Sequence, residues 1–513
     1  MVNTILSFAQ YRNPIINADV PDISVCNDGE YYYMVSTTMH LMPGAPIMRS
    51  KDLMHWDIIS YVFSRIDDGD RYNLIDGKTV YGQGQWASSI RYYQGKFWVW
   101  FTANGEPGRG FVYCTDHAEG PWTLVARPPH FHDGSLFFDD DGKVYMFYGT
   151  GSLTELDPVT FEPKQGGLNI RTFERDSDER GLLEGSSVMK KDGRYYLCMI
   201  SMDWSIPGRL RREVCYRADR IGGPYEKKVI LETPFESYGG VGQGSLIEPL
   251  REGGEWNALI FQDRGGIGRV PCLMPCRWID GWPMLGDEDG YIPNDMSLKH
   301  IHQSGVIDSD DFDSDKPLKL VWQWNHNPID EAWKLKNDCL RLTTARLADN
   351  IYVAPNTLTQ RMEGPKSVGT IRIDISHIKD GDCCGFAAFN GDSGVLTVRR
   401  KGKSKILTLT EEKSVFSEHS RSIVNDKIDI KKSIVLPKSQ KYVYLCISTD
   451  FTVGQDYASF AYSLDGTNWH QFDYRHKMKF DYRRMFMGSR FAIFNYATKT
   501  LGGYVDVDWF HLN

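Results

Sequence analysis

Apolar positions along this chain recur at every second residue in short runs, and in the first half a glycine turn precedes the most regular of them. Five runs in the first half share one phrasing: "DGEYYYMVSTT" around Gly29, "QGKFWVWFTAN" around Gly95, "DGKVYMFYGTG" around Gly142, "DGRYYLCMISM" around Gly193 and "GGEWNALIFQD" around Gly254. A glycine turn feeding an alternating aromatic and β-branched run predicts a hairpin whose second strand is half buried. Spacings of 66, 47, 51 and 61 residues suit one four-stranded sheet per unit plus variable loops. Five such sheets arranged radially make a five-bladed β-propeller over residues 1–300. A β-sandwich built from the same hairpins would need no recurrence at this period.

Beyond "YIPNDMSLKHIHQSGVIDSDDFDSDKPL" the repeat stops and an acidic, serine-containing linker appears. Alternating runs return as "GTIRIDISHI", "KYVYLCISTD", "ASFAYSLDGTNWHQF" and "GYVDVDWFHLN", which predict a second domain, a β-sandwich, over residues 301–513. The fold class expected is therefore all-β, a propeller followed by a sandwich.

The propeller register gives the first chemical signal. Trp86, Asp133 and Glu184 each stand nine residues before their turn glycine, and Asp22 stands seven before Gly29. Equivalent positions in successive blades share one radius and one height, so three carboxylates and a tryptophan converge on one face near the axis. Any one of these acids alone reads as a turn or cap residue. Their common register points instead to a shared task, either acid–base chemistry or ligation of an axial calcium.

Composition narrows the partners. The 513 residues carry a net charge of −8, which attracts neither nucleic acid nor anionic lipid, and no run has the length of a membrane-spanning helix. "MVNTILSFAQYRNPI" lacks the basic start and apolar core of a secretory leader. The ten cysteines include no CxxC pair, and they read as reduced, buried residues in a cytoplasmic setting. Aromatic residues reach 13%, which suits a β-rich fold or a surface that stacks on sugar rings.

Two carboxyl groups facing each other across a pocket are the equipment of glycoside hydrolysis, one ionised to activate water and one protonated to release the leaving oxygen. A third carboxylate beside the acid helps to keep its proton on.

The runs "NPIINADVPDISV", "STTMHLMPGAPIMRSKDLMHWDII", "QWASSIRYYQGKFWV", "HDGSLFFDDDGKVYMFYGTG", "LLEGSSVMKKDGRYYL" and "LIFQDRGGIGRVPCLMPCRWIDGWPML" resemble glycoside hydrolase family 43 in the right order over nearly the whole chain. That resemblance implies Asp22 in "PDIS" as general base, Asp133 in "HDGS" as pKa modulator and Glu184 in "LEGS" as general acid. Inversion would place Asp22 and Glu184 roughly 6.5–9.5 Å apart. The resemblance also makes Arg269 a contact to substrate and to a catalytic carboxylate, Trp86 a pocket wall and His40 a residue that reaches the sugar. Many relatives carry an axial histidine where this chain has Gly242-Gln243-Gly244, so a histidine-held calcium is not expected. The second domain resembles the concanavalin-like sandwich of the arabinofuranosidase and xylosidase branches, which lends a loop to the pocket. No cofactor is needed for the chemistry. Asp310/Asp311 and Asp506/Asp508 read as solvated turns ahead of ligands for a structural calcium, and "WQWNHNPIDEAW" reads as a core anchor ahead of a sugar-binding patch. The implied activity is an inverting exo-glycosidase that releases terminal pentoses, α-L-arabinofuranose ahead of β-D-xylose, from hemicellulose-derived oligosaccharides. A non-catalytic sugar-binding propeller is the competing reading, and it would need one of the three acids to be missing.

Overall fold

The computed structural model describes residues 12–105, 108–295, 305–417 and 423–513. The stretch 1–11, read for leader signals, and the 300/301 domain boundary lie outside the described residues.

Five four-stranded antiparallel sheets form the blades, with inner strands Ser24–Asn27, Gly84–Tyr93, Ser135–Phe138, Gly181–Lys191 and Gly244–Ile247. Apolar faces of neighbouring blades pack on each other. Ile47, Phe97 and Phe101 fill the gap between blades 1 and 2, and Phe147, Leu197 and Tyr216 fill that between blades 3 and 4. The ring closes because residues 13–20 run back along blade 5, where Ile15 and Val20 donate backbone N–H groups to Pro271 and Arg269 carbonyls.

A serine on each of four inner strands pins that strand to a neighbouring blade. Ser24 Oγ accepts from Ile90 N–H, Ser89 Oγ from Leu136 N–H, Ser135 Oγ from Val188 N–H and Ser245 Oγ from Val25 N–H, all at 3.1 Å. Buried backbone donors facing the crowded axis are thereby satisfied without water.

The sandwich stacks an eight-stranded sheet on a seven-stranded one. Its core holds Phe386, Phe491, Phe510, Ile371 and Leu445. Trp322 and Trp324 are core anchors, with Trp322 Nε1 donating to Asp310 Oδ2 at 2.9 Å. The first strand of the eight-stranded sheet, Leu41–Met42, comes from the propeller and pairs with Gln323–Asn325, so the two domains share a sheet. The ten cysteines form no disulfide, and no described helix is long and apolar enough to cross a membrane.

Candidate active site

Asp22, Trp86, Asp133, Glu184 and Gln243 occupy equivalent places, at or near the start of the inner strands of blades 1 to 5. The local backbone re-aims each side chain. Asp22, Asp133 and Gln243 adopt left-handed φ values of 52°, 47° and 67° just before their strands begin. Trp86 and Glu184 instead lie where the ladder slips, between Gln85 and Ser88 and between Glu184 and Ser187. Strained φ values and bulges of this kind gather where a fold must aim a functional group.

Three acids meet at this end of the axis. Asp22 and Asp133 are buried, whereas the Glu184 side chain is 37% exposed. Arg269 Nη1 donates to Asp22 Oδ1 at 2.8 Å. Asp133 Oδ2 accepts from Gly185 N–H at 3.1 Å, which fixes the peptide next to Glu184. A side chain at residue 185 would not fit, because φ is 70° and a Cβ would lie 2.6 Å from the Gln243 side chain. Burial pushes the Asp133 carboxyl up to about 7, His132 opposes that rise, and the charges of Glu184 and Asp22 add to it.

His132 went unnoticed in the sequence, yet it stands among the acids. Its Nε2 lies 3.3 Å from Glu184 Oε2, and its Nδ1 lies 3.9 Å from Asp133 Oδ1. The hydrogen bond to Glu184 is the main cause that raises its basicity, to about 9, against the cost of burial. These ligand atoms of His132, Asp133 and Glu184 lie close enough to share an ion. A second acid cluster, Asp176, Asp178 and Glu179, is filled by Lys227 and, at Asp178, Arg212.

One wall comes from the sandwich. Arg269 Nη2 donates to the Phe486 carbonyl at 3.3 Å, and its guanidinium lies 4.5 Å from the Phe486 ring centroid. Phe486 also meets Trp86 edge-on at 5.7 Å. Behind this wall the buried Asp19 accepts from Arg269 N–H and from Gly488 N–H, both at 2.8 Å. Asp19 thus ties blade 5 to the loop that presents Phe486. Gly488 is required there, since a Cβ would fall 2.0 Å from the Ile267 carbonyl. Phe486→Ala should raise KM for oligosaccharides about tenfold with a smaller change in kcat, because it opens the wall and leaves the acids in place. Steady-state kinetics on a short oligosaccharide will check this.

His40 requires a correction. It is 2% exposed, and its ring packs on Tyr81 at 4.6 Å and His326 at 5.2 Å in the domain interface, not against the pocket. Burial lowers its pKa to about 3, so the ring is neutral. Pairing of Leu41–Met42 with the sandwich sheet encloses it. The acids named for calcium are engaged by the protein itself: Asp506 takes a two-pronged contact from Arg341, and Asp508 pairs with Arg372.

A funnel of about 340 Å³ opens at the opposite end of the axis, around Arg91, Tyr93 and Glu248. Its lining comes from the far ends of the inner strands and includes none of the three acids.

Residues 11–283 match the profile of glycosyl hydrolases family 43, and residues 309–513 match the β-xylosidase C-terminal concanavalin A-like domain. A β-xylosidase of Formosa agariphila is 28% identical across 98% of this chain and 90% of its own length. A non-reducing-end α-L-arabinofuranosidase of Bacteroides ovatus is 27% identical over 88% of this chain and 85% of its own. The solved structure of a bifunctional GH43-CE protein of Bacteroides eggerthii superposes with a TM-score of 0.88 at 38% identity, covering 99% of this chain. This chain spans 64% of that protein's length.

Proposed function

The chain belongs to glycosyl hydrolases family 43, and on that premise we propose that it cleaves by inversion and releases terminal pentoses from hemicellulose-derived oligosaccharides. Asp22 is the base that takes a proton from water, and Glu184 is the acid that gives one to the leaving oxygen. Asp133 tunes and places Glu184 through the Gly185 amide. Arg269 orients Asp22 and, with Trp86 and Phe486, shapes the closed side that admits a chain end.

The observation that carries this reading is the meeting of Asp22, Asp133 and Glu184 around one imidazole, delivered from three different blades. A sugar-binding propeller without chemistry would not need a buried carboxylate pushed up to about 7 beside two other acids. α-L-Arabinofuranose is the sugar proposed first. β-D-Xylose is the second, favoured by the naming of the Formosa relative as a β-xylosidase. A site chooses between two pentoses through a few hydrogen bonds to hydroxyl groups. Aryl α-L-arabinofuranoside and aryl β-D-xyloside assayed side by side should give hydrolysis of at least one, with the arabinofuranoside ahead. Turnover of neither, with oligosaccharides of both sugars also inert, would overturn the assignment.

A further inference from the structure

The His132–Glu184 contact has more to offer than a wall. Both side chains are 37% exposed, so both face the pocket that substrate must fill. The groups around the imidazole are Glu184, Asp133 and Asp22, together with His130 stacked at 6.4 Å and Trp86 at 5.9 Å. The charge of Asp22 is met by Arg269. Burial and the charge of His132 both lower the basicity of His130, whose Nε2 lies 2.6 Å from Asn104 Oδ1. Of the two stacked imidazoles, His132 is therefore the one whose basicity its surroundings raise.

We propose that His132 and Glu184 hold one shared proton between Nε2 and Oε2, and that substrate entry moves it onto Glu184, arming the acid. This rests on the reading of Glu184 as the general acid. In the open pocket, water solvates an imidazolium–carboxylate pair. A sugar that displaces this water removes solvation from two charges, and a neutral imidazole–carboxylic acid pair suffers less from that loss. The Nε2–H bond breaks as the Oε2–H bond forms, and the net charge of the site is unchanged. Glu184 then passes that proton to the glycosidic oxygen. After product leaves, the exposed pair takes a new proton from water. His132 is a positioning residue in this scheme, because it acts on the substrate only through Glu184.

The test compares wild type with His132→Asn, His132→Phe and Glu184→Gln in kcat/KM against pH. Substrates are a pentose oligosaccharide and aryl pentosides of graded leaving-group acidity, and Tm is recorded for each variant. Loss of His132 should lower oligosaccharide cleavage by about tenfold or more. It should also move the alkaline limb toward acid by about one pH unit, with the most activated aryl pentoside spared. Imidazole added to His132→Ala should restore part of the oligosaccharide rate. Equal losses on every substrate with an unmoved alkaline limb, in both the Asn and the Phe variant, would make His132 a wall and overturn the proposal. If Glu184→Gln loses oligosaccharide cleavage while the His132 variants keep the wild-type pH profile, only the shared proton fails. If Glu184→Gln cleaves oligosaccharides normally, the acid assignment beneath it fails as well.

Discussion

Glu184→Gln should cut pentose release from an oligosaccharide by about 10²–10⁴-fold, the usual worth of a general acid, while an activated aryl pentoside loses far less. A sugar leaving group departs as a strongly basic alkoxide unless it is protonated, whereas an acidic phenol departs unaided. The substitution keeps size and shape. It also leaves the local scaffold intact, because the neighbouring peptide is held by Asp133 through Gly185 N–H and the next strand turn by Ser135 through Val188 N–H. Tm should therefore change little. The measurement is kcat/KM on the two kinds of substrate, with Tm alongside. Full activity on the oligosaccharide would refute Glu184 as the acid.

The fold was legible because each blade repeats one local instruction, a glycine turn and then an alternating run. Counting back from the glycines reached Asp22, Trp86, Asp133 and Glu184 through a stretch whose length varies little. Gln243 escaped the count because the turn at Gly254 lies farther from it. Serines on the inner strands mark the place better. Asp22, Asp133 and Gln243 stand two residues before Ser24, Ser135 and Ser245, and the slipped strands place Trp86 and Glu184 three before Ser89 and Ser187.

What stayed hidden depends on contacts between distant parts of the chain. Phe486 meets Arg269 from across the domain junction, and Asp19 serves both Arg269 and Gly488. No local pattern reports such a meeting. His40 stayed hidden for the same reason, since a histidine in a loop is solvated unless another domain's strand covers it. His132 was masked by Asp133 beside it, although a histidine next to a buried acid is itself a signal of tuned proton chemistry.

Asp22→Asn should remove activity on every substrate alike, by about 10²–10⁴-fold, because water activation is needed whatever the leaving group. The change tests chemistry and not folding for two reasons. Asparagine tolerates the left-handed φ of 52° as well as aspartate does, and its amide oxygen can still accept from Arg269 Nη1. The negative charge alone is withdrawn. Asp22 is one of the charges that push Asp133 up, so Asp133 should lose its proton at a lower pH in this variant than in the wild type. A carboxyl titration followed by NMR would register that move even in an inactive protein. The kinetic contrast with Glu184→Gln is the sharper measure. An acid variant sorts substrates by leaving group, and a base variant does not. Substantial hydrolysis of an activated aryl pentoside by Asp22→Asn would mean that another group activates the water.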